Sequence, residues 1–217
     1  MNYELKKRVL TSVILILLLS FTVASNFILG YVLIIISIFS LLEFHNILKR
    51  LTKRKINLVL FNLLFAIYLF IICGLFLIIS FIFHLKVLLF TILLICVASD
   101  IGGFTFGKVF KGRKLTSISP NKTISGSIGA ILFSTLTACL SLNFVVNENI
   151  LSLVIAGFVI SLSVQIGDLI FSYLKRKAKL KNTGNILPGH GGILDRIDGI
   201  LLGVPIGFII LILLSKF

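Results

Sequence analysis

The residues with the clearest capacity for chemistry are four aspartates between residues 100 and 198. Two of them fall within residues 187 to 198, LPGHGGILDRID, together with three glycines and a histidine. Because a carboxylate beside long apolar segments is costly, each of these side chains requires a cation or a water-filled cavity. Oxygen ligands suit Mg²⁺, which keeps several waters and shares its coordination with substrate phosphates. The pattern predicts a divalent-metal and phosphate site formed by Asp100, Asp168, Asp195 and Asp198.

The spacing around Asp168 predicts a helix that presents several polar groups together. Asp168, Ser172 and Lys175 stand at i, i+4 and i+7, which places a carboxylate, a hydroxyl and an ammonium on one helix face. Gly167, directly before Asp168, allows a neighbouring helix or a ligand to come close.

The last predicted helix begins directly after a glycine-rich turn. Asp195 and Asp198 stand at i and i+3 in its first turn, where the free backbone N–H groups suit phosphate oxygens. Pro188 and Gly189 reverse the chain before it. A side-chain donor and a flexible backbone are then available to a phosphate at His190, Gly191 and Gly192.

Residues 98 to 126 form a second polar segment. Ser119 and Pro120 make a rigid turn, and Lys122 with Thr123 at the start of the next helix could hold a phosphate. The segment lacks the GxxxxGK[ST] pattern and a preceding strand, so it is not a P-loop. A helix-capping loop is an equal alternative. Asp100 is either part of the site, or a helix cap or salt-bridge partner of the basic loop that follows it.

The composition indicates which kind of element positions these residues. The chain of 217 residues is 58% hydrophobic, with a mean hydropathy of +1.17, and has too little polar surface to cover a water-soluble globule. Its net charge of +14 is concentrated in short loops between apolar segments, at residues 6–8, 49–55, 108–122 and 175–181. By the positive-inside rule these loops share the cytoplasmic side of a membrane, where they also attract anionic lipids. The charge therefore does not require nucleic acid.

The apolar segments predict an all-α, polytopic membrane protein of the cytoplasmic membrane with seven to nine membrane helices. The expected segments are residues 9–25, 27–45, 57–84, 87–107, 125–146, 150–173 and 193–215. The third exceeds the roughly 20 residues of one span, so Gly74 could divide it into two. Glu43 is expected to close an amphipathic helix end. We expect one membrane domain over residues 1–217, with hydrophobic N-terminal helices at 1–95 and a catalytic region at 98–203.

The stretch from Ser172 to Asp198 resembles the signature of the CDP-diacylglycerol synthases, also called phosphatidate cytidylyltransferases. The resemblance covers roughly residues 98 to 203. Two positions depart from the family pattern: Asn182 stands where an aspartate is expected, and Ser125 where many relatives have a glutamate. Asn182 keeps an oxygen acceptor but has no charge, so it would bind a metal poorly. The signature positions that match are Ser172, Lys175, Arg176, Lys181, Pro188, His190, Gly191, Gly192, Asp195, Arg196 and Asp198.

The resemblance implies that CTP and phosphatidate react to give CDP-diacylglycerol and pyrophosphate, with Mg²⁺ and a possible second cation. Asp168 and Asp195 would hold the metal, and Asp198 is the next candidate ligand. The catalytic set would be Asp168, Asp195, Asp198, Lys175 and Arg196. Substrate-binding residues would be Arg176, His190, Gly191, Gly192, Ser119, Pro120, Lys122, Thr123 and Asp100.

Other functions remain open at this stage. A related membrane nucleotidyltransferase or lipid kinase could use the same site on another lipid phosphate. A transporter would also place carboxylates within membrane helices, but no repeated half of the sequence supports one. The family resemblance also implies that a homodimer is possible, whereas no residue pattern marks an interface.

Overall fold

The computed structural model describes residues 3–116, 119, 122–146, 148–186 and 191–215. Within these ranges the chain forms seven α-helices, and its only β-type pairing is an isolated bridge between Lys114 and Thr123. Each predicted apolar segment corresponds to one helix, so the all-α prediction is confirmed. The helices are α1 (Tyr3–Ala24), α2 (Asn26–Leu51), α3 (Lys55–Ser80), α4 (Phe83–Phe110), α5 (Ile124–Leu142), α6 (Ile150–Lys177) and α7 (Leu194–Leu214).

Six of the described helices, α2 to α7, are long and apolar enough to cross a membrane. They contain 19 to 28 residues, and about 20 residues at about 1.5 Å each suffice for the hydrocarbon layer. The apolar part of α1, Val13–Ala24, is shorter. Large apolar side chains such as Phe27 and Phe70 are exposed, as expected of surfaces that face lipid. The polytopic membrane architecture is thereby confirmed.

The long third segment forms one helix, because α3 continues without interruption through Gly74. Within a bilayer every backbone N–H group must find its acceptor inside the protein, and a continuous helix achieves this. A single glycine inside a helix costs only about 1 kcal/mol. Apart from the adjoining backbone of α3, no atom lies within 4 Å of the position that a Cβ of Gly74 would occupy. The alternative in which Gly74 divides this segment is therefore wrong.

Helix α2 extends further than the sequence predicts, to Leu51. Lys49 and Arg50 lie in its last turn, where positive side chains interact favourably with the helix dipole. Glu43 consequently lies about two turns inside the helix, and only 2% of its surface is exposed. The prediction that Glu43 closes an amphipathic helix end is wrong.

The chain forms two compact units. The first comprises Met1–Phe81 and Leu174–Ile197. In this unit Ile47 and Leu69 are buried, and the rings of Phe44 and Phe65 lie 4.1 Å apart, between α2 and α3. The unit also contains the end of α6, the segment that follows it and the first residues of α7.

The second unit comprises Ile82–Tyr173 and Asp198–Phe217. Small residues let its helices approach closely: a Cβ at Gly102 of α4 would lie 2.7 Å from the Cβ of Phe133 in α5. Buried polar side chains also join its helices, since the hydroxyls of Ser99 and Ser161 lie 2.8 Å apart. The single membrane domain and its division into a hydrophobic part and a catalytic region remain predictions.

Candidate functional site

The carboxylate of Asp195 is the centre of a buried polar cluster in the first unit. It lies in the first turn of α7, as the sequence predicts. The Lys175 ammonium is 2.7 Å from Oδ1, and both side chains are only 11% exposed. The backbone N–H groups of Thr183 and Gly192 donate to Oδ2 over 2.8 and 3.1 Å. Such a desolvated ion pair is tolerated only when further hydrogen bonds satisfy its polar atoms, and here two backbone N–H groups satisfy the second oxygen of Asp195.

A second carboxylate, that of Glu43, lies in the same cluster. The Thr183 hydroxyl donates to its Oε2 over 2.6 Å. The backbone N–H groups of Ile193 and Leu194 donate to Oε1 and Oε2 over 3.0 and 2.9 Å. The first N–H groups of a helix have no acceptor within the helix itself. Glu43, which belongs to α2, supplies that acceptor for the start of α7.

Glycines provide the space that these carboxylates occupy. A Cβ at Gly184 would lie 2.6 Å from Oε1 of Glu43, and one at Gly192 would overlap the Glu43 carboxylate and the Thr183 hydroxyl. Gly191 has φ +86°, a backbone conformation that other residues rarely adopt. Phosphate binding by the backbone at Gly191 and Gly192 remains a prediction. In addition, a side chain is disfavoured at Gly191 by its backbone conformation and at Gly192 by the neighbouring Glu43 and Thr183 side chains.

Asp168 lies in the second unit, where it pairs with Lys122. The Lys122 ammonium is 2.5 Å from Oδ2, and the two side chains are 22% and 33% exposed. The Ser172 hydroxyl donates to Oδ1 over 3.2 Å, which confirms the predicted common helix face for Asp168 and Ser172. Two residues predicted for a metal and a phosphate, Asp168 and Lys122, are thus in direct contact.

The segment before α5 has the capping role that the sequence allowed as an alternative. Thr123 is the N-cap of α5, and its hydroxyl oxygen accepts the N–H of Gly126 over 3.1 Å. The carbonyl oxygen of Ser119 accepts the N–H of Lys122 over 3.0 Å, as in a turn. Pro120 lies outside the described residues. The cap is made by the Thr123 hydroxyl, whereas the neighbouring Lys122 side chain pairs with Asp168.

The remaining predicted site residues differ in exposure. Asp198 is buried and accepts the N–H of Gly199 over 3.0 Å, whereas Arg176 and Arg196 are exposed. Asp100 is exposed on α4, well before the helix ends at Phe110, so the interpretation as a helix cap is wrong. His190 lies outside the described residues.

Asp168 is the more accessible of the two carboxylates that the sequence predicts to hold a divalent cation. Asp168 is partly exposed and has the oxygen of Ser172 beside it, but a divalent cation would have to displace the Lys122 ammonium from its Oδ2. Both oxygens of Asp195 are engaged by Lys175, Thr183 and Gly192. In the part of the chain that the structure describes, no three His, Cys, Asp or Glu side chains gather to hold a metal. A metal shared by Asp168 and Asp195, which belong to different units, remains a prediction.

The sequence patterns predicted no role in the site for Glu43 or Thr183. A signal for Glu43 was present, since it is an acidic residue between Leu42 and Phe44 in a strongly apolar segment. A carboxylate in such surroundings needs a partner, which the nearby basic loop seemed to supply. Thr183 gave no comparable signal, because its contacts depend on how the segment from 178 to 193 folds.

Comparison with known proteins places this chain in a family. Residues 50–214 match the model of the cytidylyltransferase family. A phosphatidate cytidylyltransferase of Helicobacter pylori (strain J99) is 43% identical over 113 residues, which are 52% of this chain and 42% of that protein. One from Rickettsia felis is 42% identical over 129 residues, covering 54% and 56%. One from Staphylococcus haemolyticus is 43% identical over 116 residues, covering 52% and 45%.

The matched segments span about half the length of these curated relatives. The family model, in contrast, covers well over half of this chain and includes α3 to α7, with Asp168, Lys175 and Asp195. The chain therefore belongs to the cytidylyltransferase family.

Proposed function

We propose that the chain transfers the CMP group of CTP to phosphatidate, which yields CDP-diacylglycerol and pyrophosphate. The observation that carries the proposal is the buried pair of Lys175 and Asp195. Both residues belong to the stretch that resembles the synthase signature, and their contact gives that stretch a defined polar centre at the start of a membrane helix. The names of the similar proteins support the same substrates.

The proposed reaction balances without a general base. A phosphate oxygen of phosphatidate attacks the α-phosphorus of CTP, and a new P–O bond forms there. The bond between the α-phosphorus and the bridging oxygen to the β-phosphate breaks, and pyrophosphate leaves with the electron pair. A phosphate monoester is already ionised near neutral pH. The protein is therefore required to orient two anions and to neutralise charge.

Asp168 and Lys122 would contribute to charge neutralisation. Mg²⁺, held by Asp168 with the neighbouring oxygen of Ser172, would neutralise the triphosphate and the departing pyrophosphate. Lys122 has its ammonium beside Asp168, so a phosphate that approaches this carboxylate would also meet the lysine. The exposed guanidinium groups of Arg176 and Arg196 are the further candidates for phosphate contacts.

The remaining residues of the proposed site would either hold other side chains in place or contact the nucleotide. Lys175 is committed to Asp195, so its part is to hold that carboxylate in place. Asp198, which is buried, remains a further proposed carboxylate of the site. His190 and Gly191 remain the proposed contacts of the nucleotide phosphates.

The proposed location is the cytoplasmic membrane, with the site on the cytoplasmic side. Basic residues flank the described helices at 49–55 and at 175–181. Short basic loops of membrane proteins are retained on the cytoplasmic side. CTP and Mg²⁺ would reach the site from there, whereas phosphatidate would reach it from the bilayer.

The direct test is pyrophosphate release by the purified protein in detergent micelles with CTP, phosphatidate and Mg²⁺. We expect release to require all three components and to fall by on the order of 100-fold in Asp168→Asn, with Glu148→Gln as the matched loop control. If pyrophosphate were released with another lipid phosphate but not with phosphatidate, that other lipid would be the substrate. Transfer of a γ-phosphate without pyrophosphate release would indicate a lipid kinase. Solute flux across vesicles without pyrophosphate release would indicate a transporter.

A further inference from the structure

A buried carboxylate outside the predicted catalytic region lies against the start of α7. Glu43 is 2% exposed, and its two oxygens accept hydrogen bonds from Thr183, Ile193 and Leu194. We propose that Glu43 is a positioning residue of the transfer site, which fixes Asp195 through Thr183 and the first backbone N–H groups of α7. This inference rests on the proposed function, because a shift of Asp195 can change the reaction rate only if the chain catalyses the transfer.

The pattern of donors around Glu43 requires a carboxylate. Burial of a charged group is costly unless hydrogen bonds replace its water. Three donors do so, and among the described residues no lysine or arginine forms an ion pair with Glu43. Two of the donors are main-chain N–H groups at a helix start, which is a favourable place for negative charge. An amide in place of the carboxylate would direct its NH₂ group at one of these donors.

Thr183 connects Glu43 to Asp195. Its hydroxyl donates to Glu43 over 2.6 Å, while its backbone N–H donates to Asp195 over 2.8 Å. A parallel connection runs through the helix start, where Leu194 donates to Glu43 and the adjacent residue is Asp195 itself. A shift of the Glu43 carboxylate therefore displaces Thr183, which donates to Asp195, and Leu194, the residue next to Asp195 in the helix.

The surrounding glycines make this arrangement specific. The positions of a Cβ at Gly184 and at Gly192 are filled by the Glu43 carboxylate. The backbone thus encloses the carboxylate at close range, and a shorter or rotated side chain at position 43 would leave N–H donors without acceptors. Misplacement of a catalytic group by about 1 Å can cost on the order of 100-fold in rate.

A purely structural role of Glu43 and a positioning role lead to different expected results. If Glu43 served only to hold α2 against the rest of the first unit, its loss would lower the unfolding temperature and leave kcat per folded molecule unchanged. A positioning role predicts a fall in kcat in protein that remains folded, with a smaller change in KM for CTP. It also predicts that other disruptions of the same connection reproduce the effect.

The experiment compares four variants of the full chain in detergent. Glu43→Gln removes the charge, Thr183→Val removes the connecting hydroxyl, and Thr183→Ser retains it. Ser40→Ala is the matched control, because Ser40 lies one turn earlier on α2, is equally buried, and its hydroxyl has no hydrogen-bond partner among the described residues. The measurements are unfolding temperature, kcat and KM for CTP, and hydrogen–deuterium exchange of the peptide covering 191–197.

We expect Glu43→Gln and Thr183→Val each to lower kcat on the order of 10- to 100-fold and to speed exchange at 191–197. Thr183→Ser and Ser40→Ala should behave like the wild type. Unchanged exchange and unchanged kcat in Glu43→Gln would overturn the inference. Faster exchange with unchanged kcat in both disruptive variants would also overturn it, leaving Glu43 a structural residue. Absence of pyrophosphate release from the wild type would contradict the proposed function instead, and exchange would still report on the connection itself.

Discussion

The ammonium of Lys175 lies 2.7 Å from Oδ1 of Asp195, and both side chains are largely withdrawn from solvent. A pair in this position contributes little net stability by itself, because its desolvation cost offsets the attraction. Removal of one partner is strongly destabilising, since it leaves the other charge buried and uncompensated. The pair is therefore a point at which stability and the proposed activity are both sensitive to a single substitution.

The first prediction concerns this pair. Lys175→Met should lower the free energy of unfolding by about 3–5 kcal/mol, because Asp195 would keep its charge without a cation. Thermal unfolding in detergent would measure the loss. Lys53→Met is the matched control, since Lys53 is exposed and should tolerate the change. Equal unfolding temperatures for the two variants would contradict the importance of the pair.

The second prediction concerns Lys122 and Asp168, which form a more exposed pair. Lys122→Met should change stability by less than about 1 kcal/mol, because a partly exposed ion pair is weak. Pyrophosphate release should nevertheless fall by about tenfold or more, if a phosphate takes the place beside the ammonium. A large drop in unfolding temperature with unchanged release would argue that the pair is structural.

The third prediction concerns the metal. Chelation of divalent cations should stop pyrophosphate release, and Mg²⁺ should restore it. Ser172→Ala should raise the Mg²⁺ concentration needed for half-maximal release several-fold, because the oxygen beside Asp168 is lost. The titration is carried out at saturating CTP. An unchanged Mg²⁺ requirement would remove Ser172 from the proposed metal site.

The fourth prediction compares two glycines within membrane helices. Gly102→Ala should destabilise the protein by about 1–3 kcal/mol, because the new methyl group would overlap Phe133 and the carbonyl of Gly129. Gly74→Ala should be neutral or stabilising by up to about 1 kcal/mol, since that position is open and alanine favours the helix. Unfolding temperatures of the two variants test the contrast directly. Similar losses in both would show that α4 and α5 do not depend on close contact.

The sequence predicted the helices well because length and hydropathy determine them. Seven apolar segments became seven helices, and the spacing of Asp168 and Ser172 correctly predicted a shared face. The family resemblance predicts that Lys175 and Asp195 belong to the site, which stays a prediction, and it did not indicate that they pair, since a helix face does not specify its partner. The pairing of Lys175 with Asp195 depends on the path of the segment between α6 and α7. The spacing of apolar residues in the sequence does not predict that path.

The role of Glu43 could not be read from its neighbours in the chain. Thr183 is 140 residues away, and Leu194 is 151 residues away. A local reading assigned Glu43 to the nearby basic run, because charge proximity along the sequence was the only information available. A more general rule would have succeeded: an acidic residue amid apolar neighbours needs donors from somewhere in the fold.

The distance in sequence between Glu43 and its donors also sets an order of events during biosynthesis. Glu43 leaves the ribosome early, whereas the segment from Thr183 to Leu194 is made near the end of the described chain. Until that segment emerges, the carboxylate must keep water or another temporary partner, so α2 cannot adopt its final environment. Long-range contacts of this kind are made late and slow folding. A nascent chain from which residues 183–194 have not yet emerged should therefore keep the Glu43 carboxylate accessible to solvent, whereas one from which they have emerged has the donors needed to bury it.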